Sequence, residues 1–285
     1  MSYKLGVIGF GNIAKAIITP ILDQKLINSN EVVCLVNSKK SFENIKKFYK
    51  HNIDIFPVSS DKEHLVWNCP TKLLSIKPQQ LENIEEINTK KNTENIIVSI
   101  LAGISISKLE KKFPNHKCVR AVTNIPITIR NGLTAISWGD RINEDEKKFV
   151  KNLFKNSSKV FEFSEEYIDI FLALTSSSPA IIALIVEALS DGGLNGGLSK
   201  KLSEELVLDM ILGTILLLKD SKITTSDLKN MVTSPGGTTI AALRVLEEKS
   251  LRSALIEAII AATKKSKEFS LSLIHISEPT RPSSI

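Results

Sequence analysis

The sequence predicts an α/β protein in which an N-terminal domain with a parallel sheet precedes an all-helical domain. In the first half, continuous apolar runs at residues 3–8, 32–36 and 96–100 alternate with helical patterns. Such runs are typical of parallel strands that are covered on both faces. Near residue 165 the alternation ends and helical patterns take over. We therefore expect one domain over residues 1–164 and a second over residues 165–270.

Length and composition fit a globular chain without a nucleic-acid partner. The chain has 285 residues, of which 42% are hydrophobic and 24% charged, and its formal net charge is +6. This length allows one large or two modest domains. The lysines are scattered in pairs, such as Lys39–Lys40 and Lys111–Lys112, without a basic stripe and interleaved aromatic residues. A solvated surface is therefore the better interpretation.

The cysteines and the N-terminus favour a reducing compartment. The three cysteines stand far apart, without a Cys-x-x-Cys pair or a ligand-like spacing to histidine, which argues against a disulfide framework and a metal site. The first residues lack the basic and apolar regions of a signal peptide. The most apolar stretch, residues 179–186, is shorter than the roughly 20 residues that span a bilayer. We expect a cytoplasmic protein that binds no metal and enters no membrane.

A glycine motif, Gly-x-Gly-x-x-Ala, follows the first apolar run and opens a helical pattern. Gly9 would make the tight turn, Gly11 would let a pyrophosphate approach the backbone, and Ala14 would allow close packing of helix on strand. This context predicts a Rossmann-type domain that binds a dinucleotide. The candidate contacts are Gly9, Phe10, Gly11, Asn12, Ile13 and Ala14.

The end of the second strand favours NADPH over NADH. Enzymes that use NAD usually carry Asp or Glu there, to hold the ribose 2′-hydroxyl, and this chain has no acid before Glu43. Asn37 and Ser38 can donate hydrogen bonds, and Lys39 can offset the charge of a 2′-phosphate. The alternative is an ordinary basic surface loop. We expect NADPH, with NADH as the second choice.

Two further strand ends are expected at the same edge of the sheet. One strand leads into Lys77 and Pro78, and residues 96–100 lead into residues 101–103. Ligands of open α/β sheets bind beyond the carboxyl ends of the strands. The candidate coenzyme contacts on this side are Ile76, Lys77, Pro78, Leu101, Ala102 and Gly103.

A loop of small residues at positions 233–239 precedes an amphipathic helix. Pro235 restricts φ, whereas Gly236 and Gly237 allow unusual φ values and let a ligand approach the backbone N–H groups. With a helix start behind them, these groups suit a small carboxylate. The alternative is a common helix-entry turn with threonine as N-cap.

The run of residues 234–248 resembles the C-terminal signature of pyrroline-5-carboxylate reductase without a gap. Residues 76–78, 101–103 and 119–126 are similar to further motifs of that family, and the resemblance covers residues 3 to 269 approximately. It implies an enzyme that reduces 1-pyrroline-5-carboxylate to L-proline with NADPH or NADH, the last step of proline biosynthesis. It also implies a helical domain that interlocks as a homodimer, with dimers able to assemble further.

The same resemblance implies roles for individual side chains. Thr239 would be the catalytic contact, through a hydrogen bond to the ring nitrogen, and N–H groups around Gly236 and Gly237 would hold the substrate carboxylate. Asn124 would lie near the imine. The implied substrate contacts are Asn124, Ser234, Gly236, Gly237, Thr238 and Thr239.

Two positions depart from the family pattern. Ile125 stands where the family usually has threonine, so a hydroxyl is missing from the expected site wall. Ser176 replaces a glycine, and if that glycine needs a positive φ the substitution would strain its loop. Just beyond it, Ser178 is expected to cap a helix with Pro179 at its first position.

The second half is expected to consist of helices with apolar faces, near residues 181–189, 199–218 and 239–265. The glycine pairs at 192–193 and 196–197 should break helices. So much apolar face in about 100 residues favours burial against a second copy of the chain.

Residues 271–285 resemble the in-frame translation of a sequencing adapter. We expect them to be disordered read-through, with a natural disordered tail as the alternative. His275 therefore enters no site hypothesis.

Two other functions stay open at this point. One is another NADP-dependent reductase, of the β-hydroxyacid dehydrogenase type, although Lys200 and Lys201 do not fit the Gly-x-x-x-Asn-x-x-x-Lys spacing of that class. The other is a non-catalytic paralogue that binds NADPH, its site closed by the changes at Ile125 and Ser176.

Overall fold

A computed structural model describes residues 3–58, 60–85 and 95–275. The strands in these ranges are β1 (Leu5–Ile8), β2 (Val32–Val36), β3 (Asp54–Pro57), β4 (Thr71–Leu74), β5 (Ile96–Ser99), β6 (Lys117–Thr123), β7 (Gly132–Trp138) and β8 (Ser158–Glu162). The α-helices are α1 (Asn12–Asp23), α2 (Lys39–Phe48), α3 (Glu63–Trp67), α4 (Ile106–Lys112), α5 (Glu144–Lys155), α6 (Ile168–Leu172), α7 (Ser178–Asn195), α8 (Lys200–Asp220), α9 (Thr225–Met231), α10 (Thr238–Glu248) and α11 (Leu251–His275). A π-helical segment, Ala173–Ser177, joins α6 to α7.

The described strands form one sheet with the order β3-β2-β1-β4-β5-β6-β7-β8. β1 to β6 are parallel, β7 is antiparallel to β6, and β8 is parallel to β7. The strand order reverses direction at β1, which lies between β2 and β4. Ligands of doubly wound sheets bind at such a switch point, beyond the carboxyl ends of the strands. The predicted fold class, a Rossmann-type sheet followed by helices, is confirmed.

Both faces of the sheet are covered by apolar cores. Val7 and Leu73 belong to one cluster of buried side chains, whereas their neighbours Ile8 and Leu74 belong to another. Successive side chains of a strand point to opposite faces, so each central strand contributes to both clusters. Burial of one such side chain stabilises the fold by about 1.5–3 kcal/mol, which explains why apolar residues predominate on both faces of these strands.

Packing divides the chain into two compact units. One contains the sheet, residues up to Ser176 and the chain from Thr263 onward, and the other contains residues 177–262. The sequence places a boundary near residue 165, whereas in the structure residues 165–176 pack with the sheet. α6 makes this contact, because Ile168 and Phe171 are buried beside Val122 of β6.

The start of α7 differs from the sequence-based expectation. Ser178 does not cap a helix, because the π-helical segment Ala173–Ser177 runs directly into α7. α7 also continues through the first glycine pair, Gly192 and Gly193, and ends at Asn195. Gly196 is its C-cap, and Gly197 follows at φ +94°. A helix tolerates isolated glycines at a cost of about 1 kcal/mol each, whereas a left-handed glycine after the last turn ends it.

The helix expected over residues 239–265 is divided in two. α10 ends at Glu248 and α11 begins at Leu251, with Ser250 between them at φ +57°. A residue in the left-handed region interrupts the helical hydrogen-bond pattern at that point. The periodicity of apolar and polar residues does not reveal such an interruption. α11 continues to His275, so residues 271–275 are helical, and the rest of the proposed adapter-derived tail lies outside the described residues.

One helical run, Glu165–Asn195, is long and apolar enough to cross a membrane by length and composition. The continuous π-helical join makes it much longer than the stretch of residues 179–186, so the expectation that this apolar region is too short does not hold. Of the run's most apolar window, 17% is buried. Length and hydropathy alone are weak evidence, because core helices of soluble proteins pass the same test.

Candidate coenzyme and substrate site

Gly9 and Gly11 shape the turn between β1 and α1. Gly9 has φ +88°, and a Cβ atom there would lie 2.4 Å from the carbonyl oxygen of Ser75. Gly11 is the N-cap of α1 at φ −80°, and a Cβ atom there would meet nothing within 4 Å. Gly9 is therefore required by the backbone, whereas the space above Gly11 is open. An open helix start with free N–H groups suits a pyrophosphate.

A cavity of about 760 Å³ opens beyond this turn. Its walls come from the carboxyl ends of β1, β2 and β4, with Ile100 and Thr123 at the ends of β5 and β6. Lys77 is the single charged side chain among its described lining residues. The absence of an acid in this lining favours a coenzyme that carries an additional phosphate, because a carboxylate would repel it.

The cavity brings together eight of the predicted coenzyme contacts. They are Gly9, Phe10, Gly11, Asn12, Ile13, Asn37, Ile76 and Lys77. Seven others do not line it: Ala14, Ser38, Lys39, Pro78, Leu101, Ala102 and Gly103. Ala14 and Leu101 are buried, with 0% and 1% exposure, so their side chains pack under the turn and the strand end, and any coenzyme contact would come from their backbone atoms.

Sequence reasoning missed five polar residues of the cavity lining, Ser41, Ser75, Gln80, Asn83 and Thr123. Ser38 caps α2 by accepting a hydrogen bond from the backbone N–H of Ser41 at 3.1 Å, and it donates to the Ser41 hydroxyl at 3.0 Å. This cap brings Ser41, one turn further on, to the cavity wall. A serine followed three residues later by a polar residue was the available signal.

The end of β6 holds Asn124 in a fully bonded position. Its Oδ1 accepts a hydrogen bond from the backbone N–H of Leu133 at 2.7 Å, and its Nδ2 donates to the carbonyl of Thr175 at 3.1 Å. Asn124 is 6% exposed, whereas the next residue, Ile125, is 57% exposed. The structure thus places Asn124 inside the sheet unit and Ile125 on its surface.

Ser176 shows no backbone strain. It is not among the positive-φ residues of the described chain, so the glycine of the family pattern is not needed for a left-handed conformation here. Its hydroxyl donates a hydrogen bond of 3.3 Å to the carbonyl of Thr123. The departure therefore adds a contact to the strand end that borders the cavity.

The predicted substrate loop lies in the helical unit and begins α10. Gly236 has φ +67°, a left-handed conformation that glycine readily adopts, and Gly237 is the N-cap of α10. The Gly237 N–H is occupied, because it donates to the carbonyl of Ser234 at 3.1 Å. The first N–H groups of a helix lack an acceptor within the helix, so Thr238 and Thr239 supply the available donors.

Family models match both halves of the chain. A model described as pyrroline-5-carboxylate reductase dimerisation matches residues 165–269. A model described as NADP oxidoreductase, coenzyme F420-dependent, matches residues 4–103.

Curated relatives and solved structures extend over almost the whole chain. A pyrroline-5-carboxylate reductase of Synechocystis sp. is 35% identical over 94% of this chain and 98% of its own length. One from Arabidopsis thaliana is 31% identical over 95% and 97%. The crystal structure of the Plasmodium falciparum pyrroline carboxylate reductase with NADP bound has a TM-score of 0.79 at 28% identity, covering 94% of this chain and 98% of that chain. For a pyrroline-5-carboxylate reductase of Coxiella burnetii the TM-score is 0.81 at 28% identity, covering 95% and 99%.

These similarities agree with the glycine turn, the acid-free cavity and the Ser-Pro-Gly-Gly loop on the same chain. They favour this family over the β-hydroxyacid dehydrogenase alternative, for which the sequence lacks the expected lysine spacing. The chain belongs to the pyrroline-5-carboxylate reductase family.

Proposed function

We propose that this chain reduces 1-pyrroline-5-carboxylate to L-proline with NADPH, the last step of proline biosynthesis. The observation that carries the proposal is the likeness along 98% of a curated pyrroline-5-carboxylate reductase. A fold alone does not determine function, but here the coenzyme half and the helical half match one family in one order. NADH is the second-choice donor.

The cavity beyond β1 is assigned to the coenzyme. Residues 9–14 would hold the pyrophosphate at the start of α1, where a Cβ at Gly11 would fill an open cradle. Asn37, Ser38 and Lys39 would contact the 2′-phosphate, together with Ser41. The residues proposed on the nicotinamide side are Ile76, Lys77, Pro78, Leu101, Ala102 and Gly103. Bound NADPH supplies the hydride for the imine carbon.

The loop before α10 is assigned to the substrate. The N–H groups of Thr238 and Thr239 would hold the carboxylate, and the side chains of Ser234 and Thr239 would contact the ring. Thr239 would hydrogen-bond the ring nitrogen. Gly236 contributes by its left-handed backbone, and Gly237 by a turn that leaves no room for a side chain, since a Cβ would lie 2.4 Å from the Ser234 hydroxyl.

The chain would act mainly by positioning the reacting groups. A protonated imine accepts hydride readily, so a strong acid on the protein is not required. Holding two reactants in an aligned geometry supplies about 7–11 kcal/mol of the barrier reduction. The proton that the amine product carries then comes from the protonated imine itself.

The homodimer would form through the helical half. Large apolar side chains on its helices are exposed in the single chain, among them Leu184 at 65%, Leu212 at 58% and Ile256 at 55%. These residues lie within the range that matches the dimerisation model. A second copy of the chain would remove this apolar surface from water. Dimers could assemble further by burying apolar surface in the same way. We expect the protein to be cytoplasmic.

The test is NADPH oxidation in the presence of pyrroline-5-carboxylate, followed at 340 nm. We expect turnover by the wild-type chain, a loss of at least tenfold in kcat for Thr239→Ala, and no change for Thr225→Ala on exposed α9 as the matched control. An unchanged rate for Thr239→Ala would remove Thr239 from its role.

The same assay separates the rivals. Saturable NADPH binding without turnover of the imine would identify a non-catalytic paralogue. NADPH oxidation with a keto acid in place of the imine, giving the hydroxyacid, would identify the other reductase class.

A further inference from the structure

The end of β6 is tied to residues 165–176 by three separate groups, of which two reach the segment after α6. Arg120, 3% exposed, donates from Nη1 to Glu165 at 3.0 Å and lies 3.9 Å from Asp169. The carbonyl of Thr123 accepts from Ser176 at 3.3 Å. Asn124 donates to the carbonyl of Thr175 at 3.1 Å. All three contacts join β6, or the residue directly after it, to residues 165–176.

Two of these contacts hold the π-helical segment Ala173–Ser177. A π-helix widens the turn and is less favourable than an α-helix, and it occurs mostly as short insertions near functional sites. Thr175 also donates from its hydroxyl to the carbonyl of Phe171 at 2.8 Å. The segment is therefore held by side chains as well as by its own backbone.

The position of this segment connects it to catalysis. Thr123 lines the coenzyme cavity, and its carbonyl and the next side chain hold residues 175 and 176. Ser176 is the last residue of the sheet unit before the chain enters the helical unit that carries the substrate loop. The segment therefore leads directly from the sheet unit into the chain of the helical unit.

We propose that Asn124 and Ser176 are positioning residues that hold the π-helical segment Ala173–Ser177 in the geometry that hydride transfer requires. The inference rests on the proposed function for its kinetic consequence. In this proposal, Asn124 acts by donating a hydrogen bond to the Thr175 carbonyl, rather than by contacting the imine. Ser176 is this chain's own addition to the same attachment, where the family usually has glycine.

The test uses full-length chains that carry Asn124→Asp, Ser176→Ala or both. Asn124→Asp keeps the acceptor for the Leu133 N–H and replaces the donor to Thr175 by an oxygen that repels the carbonyl. Ser176→Ala removes only the hydroxyl. The controls are Asn152→Asp on exposed α5 and Ser164→Ala at an exposed site before α6.

The first readout is amide hydrogen exchange of peptides covering residues 168–180, measured by mass spectrometry. We expect exchange about tenfold faster in Asn124→Asp and about threefold faster in Ser176→Ala, with no change in either control. The double variant should fall short of the product of the two effects, because both contacts hold one segment. Unchanged exchange in both single variants would overturn the proposal.

The second readout is kinetic. We expect a lower kcat, a larger deuterium isotope effect with NADPH labelled at the transferred position, and an NADPH dissociation constant within twofold of the wild type. The pH profile of kcat should keep its shape. A shifted pH profile in Asn124→Asp with unchanged exchange would place the carboxylate beside the imine and make Asn124 a substrate contact instead.

The two proposals fail in different ways. A wild-type chain that does not reduce the imine contradicts the proposed function, and the exchange measurement still decides the attachment. If Asn124→Asp does not fold, Ser176→Ala alone carries both readouts, because it removes one hydrogen bond at a partly exposed position.

Discussion

Gly9 and Gly11 serve the same turn for different physical reasons. Gly9 is needed because its φ of +88° and the Ser75 carbonyl exclude a side chain, whereas Gly11 has an ordinary φ and open space. We therefore expect Gly9 to contribute to stability and Gly11 to coenzyme binding, a distinction that mutation can measure.

We expect Gly11→Ala to fold with an unchanged Tm and to bind NADPH at least tenfold more weakly, because its methyl group would occupy the pyrophosphate position. Gly9→Ala should lower the free energy of unfolding by more than about 1 kcal/mol, because alanine is strained at this φ. Fluorescence titration with NADPH and thermal denaturation provide the measurements. If Gly9→Ala and Gly11→Ala lost NADPH affinity equally and were equally stable, the two glycines would not have separate roles.

The end of β2 is expected to decide between the two coenzymes. Asn37→Asp would place a carboxylate in the cavity wall, where it repels a 2′-phosphate and can accept from a ribose 2′-hydroxyl. We expect the ratio of kcat/KM for NADPH over NADH to fall at least tenfold. Glu43→Gln, on α2 just after this strand end, is the control, and an unaltered ratio in Asn37→Asp would place the 2′-phosphate elsewhere.

At the scale of elements, the junction between β6 and the chain after β8 depends on one buried ion pair network. Arg120 faces Glu165 and Asp169, and Asp169 also accepts a 2.6 Å hydrogen bond from Ser266 of α11. The network thus joins a strand, α6 and α11 within the sheet unit. Loss of its cation leaves two carboxylates close together in a partly buried place.

We expect Arg120→Met to lower the free energy of unfolding by about 3–5 kcal/mol, the range for breaking a buried pair. Lys148→Met, which removes a cation from the exposed pair with Asp145, should change it by less than about 1 kcal/mol. Urea denaturation followed by circular dichroism compares them. A loss in Arg120→Met no greater than in Lys148→Met would show that the network is not structural.

The helices of the second half illustrate a limit of pattern reading. The periodicity of residues 239–265 and the serine before Pro179 indicated the right helices with the wrong ends. The actual ends depend on Ser250 in a left-handed conformation and on a π-helical join. Neither feature follows from the hydrophobic periodicity, so a single sequence does not reveal them.

Considered as a whole molecule, the chain should lose stability as the pH falls below 6.5. His116 is buried beside Trp67 and Phe113, and burial, with Lys72 and Arg141 nearby, lowers its pKa to about 4. Between pH 6.5 and 4 the unfolded chain binds a proton at this position that the native chain does not bind. The free energy of unfolding therefore decreases as the pH decreases through this window.

We expect His116→Phe, which keeps an aromatic ring, to flatten this part of the pH dependence. His64→Phe, in an exposed hydrogen-bonded histidine on α3, is the control and should keep the wild-type slope. Urea denaturation at pH 7, 6, 5 and 4.5 gives the slopes. Equal slopes in the wild type and His116→Phe would assign the acid sensitivity to other groups.

The sequence by itself determined the fold class, the coenzyme turn and the family, and it favoured NADPH as the coenzyme. These follow from local signals: apolar runs, glycines at required positions, a missing acid, and a loop in fixed order. The tertiary structure alone decided that Ser41, Gln80 and Asn83 line the cavity, that Asn124 is bonded on both amide atoms, and that Ser176 holds the junction without strain. These facts depend on residues that are distant in sequence, such as Ser176 and Thr123 at 53 positions apart, and a contact at that separation leaves no trace in the local pattern of one sequence.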